Sequence, residues 1–75
     1  MKWVMEQMKI RMIDILDGKE MTLNELCHQL NSTTKNRRIT NAITIQRVGQ
    51  ILRANDFEKV GEVNRRAVWR IRNEE

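Results

Sequence analysis

Glutamine and arginine side chains recur in the second half of this 75-residue chain at the spacing of one helix face. Gln46, Arg47, Gln50 and Arg53 fall on one arc of a helix that Thr44 is expected to cap. The opposite arc is apolar and is expected to be buried: Ile45, Val48, Ile51 and Leu52. Arginine can form paired hydrogen bonds with guanine and glutamine with adenine, so the polar arc is suited to reading base edges in a major groove.

Two further groups of cations flank this helix in the sequence. Lys35, Arg37 and Arg38 precede it and are expected to hold a nucleic-acid backbone, while Arg65 and Arg66 stand at the expected tip of a hairpin. Arginines at such a tip can contact phosphates or enter a minor groove. These cations and the polar helix arc together form the predicted nucleic-acid-binding set.

Other chemistries have little support in the residues. The chain has one cysteine, Cys27, and one histidine, His28, which leaves a zinc site short of ligands, and no base accompanies the thiol. Gly18-Lys19 lacks the glycine loop that cradles phosphates in an ATPase. We therefore predict no catalytic residue, no metal site and no cofactor, and we expect that the chain is not an enzyme by itself.

The charge is distributed unevenly along the chain. Residues 35–72 carry ten basic side chains against three acidic ones, whereas residues 1–34 carry four against five, and the whole chain has a net charge of +4. An excess of positive charge in one half attracts polyanions such as DNA. The alternative interpretation of the same pattern is a solvated face with no ligand.

Length and composition are those of a small globular domain. We expect one domain over residues 1–75, as a complete protein or as a piece of a larger one, with 40% hydrophobic residues to form its core. No apolar run approaches the roughly 20 residues that span a bilayer, and no signal-peptide core is visible. A cytoplasmic location is the default expectation, and the lone cysteine excludes an internal disulfide.

Periodicity and caps predict the elements of the first half. Residues 2–17 repeat apolar side chains at helical spacing, and Gly18 is a natural stop. The expected stripe is Met1, Val4, Met5, Met8, Met12, Ile15 and Leu16. A brief strand is expected near Met21, and Thr22 and Glu25 have the spacing of a capping box for a second helix, which would bury Leu23, Leu26, Cys27 and Leu30. Residues 31–42 are expected to form a loop with at most a short helical turn.

The second half is expected to end in a hairpin. Gly49 interrupts the third helix at a cost of about 1 kcal/mol relative to alanine, which predicts a close crossing by another helix. Residues 57–71 alternate with the period of two strands, and a three-residue loop, Asn64 to Arg66, would place Phe57, Val63, Trp69 and Ile71 on one face. Glu58 and Glu62 would then meet Arg70 and Arg72 on the other face, and Lys59 would have to reach water from the inner one.

The expected order is therefore helix, strand, helix, helix, strand, strand. This α+β order of three helices and a C-terminal hairpin is that of a small winged helix-turn-helix, with the hairpin as its wing. It predicts that the third helix and the wing contact DNA. Duplex is favoured over single-stranded DNA because the chain has only three aromatic residues, and Phe57 and Trp69 are expected to pack in the core.

A stretch of the sequence also resembles a known family. Arg47-Val48-Gly49 with Leu52, then Phe57-Glu58-Lys59, then Trp69, resembles the C-terminal winged-helix region of phage- and plasmid-type replicative helicases and primase–helicases, in particular the virulence-associated-protein-E-like group. The sequence departs from that pattern at Asn55-Asp56, where the family often has Leu-Gly, and at the wing tip, which lacks the usual glycine. The resemblance implies an accessory domain of a DNA-unwinding protein of a mobile element.

Two alternatives remain open from the residues alone. Trp3 and Ile10 lie nearly opposite the apolar stripe of the first helix, so they could form the contact of a winged-helix protein-interaction module. The chain could also be a small stand-alone transcription regulator, which would dimerise and select a palindromic site.

Overall fold

The computed structural model describes residues 2–54 and 56–72. Met1, which the sequence assigns to the stripe of the first helix, and Asn55, which belongs to the family pattern, lie outside the described residues, as do residues 73–75. Within the described part, the chain is a small α+β fold. Helices are followed by an antiparallel hairpin, which a short earlier strand extends to a three-stranded sheet with the last strand of the chain in the middle.

Helix α1 spans Lys2–Leu16 and buries one face. Val4, Met8, Met12 and Leu16 repeat every four residues and are buried in the core, and Met5 and Ile15 are half-buried against it, so the predicted stripe is confirmed for its described residues. The chain leaves the helix at Gly18, whose φ of +68° lies in the left-handed region that favours glycine. The Lys19 amide there donates to the Leu16 carbonyl at 2.9 Å.

Strand β1, Met21–Thr22, leads directly into α2, Leu23–Thr33. The capping box is confirmed: the Glu25 amide donates to Thr22 Oγ1 at 3.3 Å, and the Thr22 amide donates to Glu25 Oε1 at 3.2 Å. Two donors that a helix start leaves without intrahelical partners are thereby satisfied. Leu26 and Leu30 are buried as expected, while Leu23 and Cys27 are half-buried.

The segment expected to be a loop is largely helical, so the expectation of three helices was wrong. Helix α2 continues to Thr33, and a further helix, α3, spans Arg37–Ala42. Asn36 caps α3, since its side chain accepts from the amides of Arg38 at 2.9 Å and Ile39 at 3.3 Å. Ile39 and Ala42 are the buried residues of this helix, and two apolar positions are too few to show a period in the sequence.

Helix α4 spans Ile45–Ala54 and is capped as expected, since the Arg47 amide donates to Thr44 Oγ1 at 3.1 Å. Val48, Ile51 and Leu52 are buried, but Ile45 is 57% exposed, and its expected burial was wrong. Helical side chains lean toward the N-terminus, so the residue four positions later normally covers part of its predecessor. Gly49 has no side chain to cover Ile45.

The expected close helix crossing at Gly49 is also absent. A Cβ atom placed on Gly49 would meet its nearest neighbours, in the side chains of Leu23 and Arg53, at 3.9 Å, which is ordinary van der Waals contact. Gly49 is buried, yet the packing around it leaves room for a methyl group.

Strands β2, Phe57–Val63, and β3, Arg66–Ile71, form the hairpin with a two-residue turn rather than the expected three-residue loop. Both turn residues have positive φ, 52° at Asn64 and 66° at Arg65. Two-residue turns with two positive φ values match the right-handed twist of the flanking strands, which explains why this geometry closes the hairpin. Arg66 is therefore the first residue of β3 and not a loop residue.

A register shift between Lys59 and Gly61 reverses the faces of the hairpin near its turn. Before the shift Phe57 is buried, Lys59 is exposed, and Glu58 accepts from Arg70 Nε at 2.7 Å, all as expected. After the shift Val63 pairs with Arg66 and is 55% exposed, which corrects its expected place beside Phe57. Glu62 lies 3.0 Å from Lys59 Nζ and does not pair with Arg70 or Arg72.

The buried side chains of α1, α2, α3, α4 and β2 form one hydrophobic cluster, against which Trp69 and Ile71 of β3 pack. The remaining strand, β1, pairs with β3 in antiparallel register, Met21 opposite Trp69 and Thr22 opposite Val68, and thereby holds the hairpin against the start of α2. None of the helices in the described part is both long and apolar enough to cross a membrane.

Candidate nucleic-acid interface

The polar arc of α4 faces outward. Gln46, Gln50 and Arg53 are exposed and Arg47 is half-buried. Gln46, Arg47 and Gln50 line a shallow depression of about 410 Å³ together with Thr44. The structure thus brings the base-reading residue types of the sequence onto one accessible face, and it leaves their amide and guanidinium groups free to meet a ligand.

Helix α3 positions the cations that precede α4. Lys35 and Arg37 are exposed on either side of the capping residue Asn36, and Arg38 is exposed in the first turn. The Arg38 guanidinium carbon lies 5.6 Å from the centre of the Trp3 ring, a cation–π contact worth about 0.5–1 kcal/mol at an exposed site. Arg38, assigned to nucleic acid, and Trp3, assigned to a protein partner, are therefore neighbours.

The turn of the hairpin carries Arg65, and Arg66 follows at the start of β3, both exposed. Arg66 and Asn64 line a shallow depression with Thr22 and Glu25, so the turn lies beside the start of α2. Leu23, at that same helix start, packs next to Gly49 of α4. The start of α2 therefore lies between the hairpin turn and α4.

The acidic side chains between residues 56 and 72 are all paired. Asp56 lies 3.2 Å from Lys9, Glu58 pairs with Arg70, and Glu62 pairs with Lys59. Within the described residues, no ion pair involves the candidate cations: Lys35, Arg37, Arg38, Arg47, Arg53, Arg65 and Arg66. Their charges are not held in ion pairs and remain available to a polyanion, although Glu25 lies beside Arg66.

The remaining chemistry-bearing residues are dispersed. The described residues contain no group of three or more His, Cys, Asp or Glu that could hold a metal ion. Burial raises the pKa of the Cys27 thiol above its ordinary value of 9.0, so the thiol is protonated at neutral pH and is a poor nucleophile. His28 is exposed on α2.

The outer face of α1 carries a second surface, which we call the α1 outer face. Trp3 and Ile10, singled out in the sequence, are 47% and 58% exposed, and Ile13, which sequence reasoning missed, is 37% exposed. Exposed Glu6 and Asp14 lie among these apolar residues. The spacing of three between Ile10 and Ile13 was a usable signal that both belong to one helix face.

Sequence reasoning also missed two exposed apolar residues within the candidate interface. Ile45 opens α4 next to Gln46, and Val63 precedes the hairpin turn next to Asn64. Only the packing around Gly49 and the register shift of β2 reveal the exposure of these two residues.

No protein-family model matches this chain, and no curated protein or solved structure matches it either.

Proposed function

We propose that this chain is a DNA-binding winged-helix domain whose helix α4 enters a major groove while the hairpin turn contacts the backbone or a minor groove. The order of helices and strands and the exposed polar arc of α4 support this proposal. A major groove about 12 Å wide admits one helix, which agrees with a single reading helix. Helix α3 is then an additional short helix in the link between α2 and α4.

The observation that carries the proposal is the set of cations without ion pairs. Residues 56–72 contain three acidic side chains, and each is paired with a lysine or arginine that lies outside the candidate set. The cations on α3, α4 and the turn therefore keep their charge available for phosphates. Phosphate contacts supply most of the affinity and base contacts supply the selectivity.

Duplex DNA is the proposed form because no aromatic side chain lies on the polar face of α4. Phe57 is buried and Trp69 packs against the core, while Trp3 is 47% exposed on α1 with the Arg38 guanidinium group near its ring. Proteins that bind single strands stack successive bases on free aromatic rings, for which this surface provides no platform. The glutamine amides and arginine guanidinium groups of α4 instead suit the donors and acceptors of paired bases.

The biological setting that we propose is a non-catalytic accessory domain of a replicative helicase or primase of a mobile element. This setting rests on the sequence resemblance of Arg47 to Lys59 and of Trp69 to the helicase-associated pattern. The role would be to hold or position DNA for a motor that lies elsewhere.

The turn residue Arg65 offers a test that does not threaten the fold. Arg65→Gly removes one charge and places glycine at a φ of 66°, where glycine is favoured, so the variant should be at least as stable as the parent. Loss of one charge-assisted contact should weaken duplex binding about fivefold in a fluorescence anisotropy titration at about 0.15 M salt.

Lys19→Gln is the matched control. It also removes one exposed charge, but it lies beside Arg70 and Ile71, at the end of β3 opposite the turn. Its effect on affinity should be at most about twofold, since charges separated by more than a Debye length are screened. Absence of duplex binding by the parent protein, or equal losses in the two variants, would contradict the proposal.

A second candidate function, protein interaction through the α1 outer face, is favoured by its exposed Trp3, Ile10 and Ile13. A second copy of the chain is a poor partner for this face. In an antiparallel pairing centred on Ile10, Glu6 of one copy would face Asp14 of the other, and like charges repel. A partner helix with apolar and basic residues would complement the face.

Sedimentation velocity separates these partners. The protein alone should remain a monomer, whereas mixing it with a synthetic helical peptide of leucines and lysines should produce a faster-moving complex. Trp3→Ala and Ile13→Asp should each weaken that complex, and Ile45→Ala should not. Unchanged binding in both α1 variants would exclude this face as the contact.

A further inference from the structure

An exposed isoleucine begins the helix whose other outward residues are polar. Ile45 is the first residue of α4 and is 57% exposed, although its sequence pattern favours burial. The Thr44 cap orients this first turn through its hydrogen bond with the Arg47 amide at 3.1 Å. The side chain of Ile45 is therefore held on a fixed backbone at the start of the helix.

Ile45 lies at the N-terminal margin of α4, next in the chain to Gln46. Successive residues of a helix are about 100° apart, so by angle Ile45 lies between the buried residues Leu52 and Gly49 and about 100° from Gln46. Its exposure comes from its place in the first turn of the helix. The side-chain gap at Gly49, four residues later, leaves the isoleucine uncovered on this margin. A ligand that approaches the first turn of α4 end-on can contact both Ile45 and Gln46, because both are exposed there.

The surroundings of Ile45 differ from those of the equally exposed Ile10. Ile10 is 58% exposed on α1, where the carboxylates of Glu6 and Asp14 would repel a phosphate backbone. Ile45 adjoins Thr44 and Gln46, which carry no negative charge. A phosphate backbone would therefore meet negative charge near Ile10 and none on the chain neighbours of Ile45.

We propose that Ile45 is a specificity-determining residue that packs on the C5-methyl group of thymine in the major groove, next to an adenine bound by Gln46. The thymine methyl is the apolar feature of the major-groove edge, and glutamine forms paired hydrogen bonds with adenine N6 and N7. Adjacent isoleucine and glutamine side chains therefore select steps that contain A·T pairs. This inference rests on the proposed DNA-binding function and adds the base composition that the site prefers.

Replacement of thymine by uracil tests the contact directly, because uracil lacks only the C5-methyl group. We would measure affinity by anisotropy for short duplexes of alternating dA-dT, alternating dA-dU and alternating dG-dC. Burial of one methyl group predicts that the parent protein prefers dA-dT over dA-dU about fourfold. Ile45→Ala should bind the two duplexes equally and retain its affinity for dA-dU.

Ile10→Ala is the matched control, since it truncates an equally exposed isoleucine away from the proposed interface. It should keep the preference for thymine over uracil. Duplex binding with no such preference in the parent protein, or a preference that survives in Ile45→Ala, would overturn the assignment of Ile45 and leave the proposed function intact. Absence of any salt-dependent duplex binding would overturn both.

Discussion

Two glycines of this chain occupy backbone conformations with opposite consequences for substitution. Gly49 lies within α4, where a methyl group would meet its nearest neighbours at 3.9 Å. Alanine is favoured over glycine within a helix by about 1 kcal/mol, because glycine loses more conformational entropy on folding. Gly49→Ala should therefore raise the free energy of unfolding by up to about 1 kcal/mol, which urea denaturation followed by circular dichroism would measure.

Gly18→Ala is the control for that prediction. No atom lies within 4 Å of the Cβ position of Gly18, so space is not limiting, but its φ of +68° is unfavourable for alanine. The left-handed conformation costs a non-glycine residue about 1–2 kcal/mol, and Gly18→Ala should lower stability by that amount. A loss of stability in Gly49→Ala would mean that α4 packs more tightly against Leu23 than the structure shows.

The hairpin turn places an arginine where glycine would be favoured. Asn64 tolerates positive φ because its side chain can hydrogen-bond locally, whereas Arg65 at 66° gains no such relief. A residue in a strained conformation is a reason to examine function at that position. Arg65 contributes a positive charge at the tip of the turn, which glycine would not. The expected loss of affinity in Arg65→Gly rests on the removal of that charge.

At the scale of elements, those with local signals could be predicted from the sequence. Four-residue repeats of apolar side chains defined α1, and the Thr22–Glu25 spacing defined the start of α2. Thr44 marked the start of α4. Caps and apolar periodicity depend on residues that are close in the sequence, so they can be recognised without knowledge of the tertiary structure.

Helix α3 could not be recognised in the same way. Its six residues form less than two turns, and an isolated helix of that length is unstable in water. Its stability comes from burial of Ile39 and Ala42 in the common core, which a sequence pattern of two apolar positions does not reveal. The Asn36 cap was the one local signal, and it lay within a polar segment typical of a loop.

The hairpin contains two irregularities, a short turn and a register shift, whose effects on the strand faces partly cancel. A regular alternation in the sequence does not reveal either of them. Unbroken alternation favoured a three-residue loop because that loop aligned the apolar residues on one face. The structure has a two-residue turn and a shift between Lys59 and Gly61, which together leave Phe57, Trp69 and Glu58 on the expected faces. The faces of residues between the shift and the turn are reversed, and Val63 is exposed as a result.

The candidate site was predictable in part for the same reason. The exposure of Gln46, Gln50 and Arg53 follows from the helical period, which the sequence carries. Ile45 is exposed because Gly49, four residues later, has no side chain to cover it. The contact of Arg38 with Trp3 depends on how α3 packs against α1. Both are tertiary properties, and both change which residues are assigned to the interface.

At the scale of the whole molecule, the two candidate surfaces differ in charge. The α1 outer face carries Glu6 and Asp14 among apolar side chains, while α3, α4 and the turn carry unpaired cations. A polyanion is therefore drawn to the second surface and repelled from the first. The two surfaces meet at the contact between Arg38 and Trp3, so the boundary between them lies where α3 approaches α1.

The number of unpaired cations sets a limit on the salt dependence of DNA binding. Each phosphate contact releases a counterion, so log K falls with log salt concentration at a slope of about −0.9 per contact. If the candidate cations on α3, α4 and the turn all contact phosphates, the slope for duplex DNA is about −6, and contacts that go to bases make it shallower. Anisotropy titrations over a series of salt concentrations would measure it, with Arg65→Gly flattening the slope by about 1 and Lys19→Gln leaving it unchanged. A slope near zero would show that phosphate contacts do not stabilise the complex. If Lys19→Gln flattens the slope as much as Arg65→Gly does, the salt dependence comes from the net charge of the protein and not from the turn.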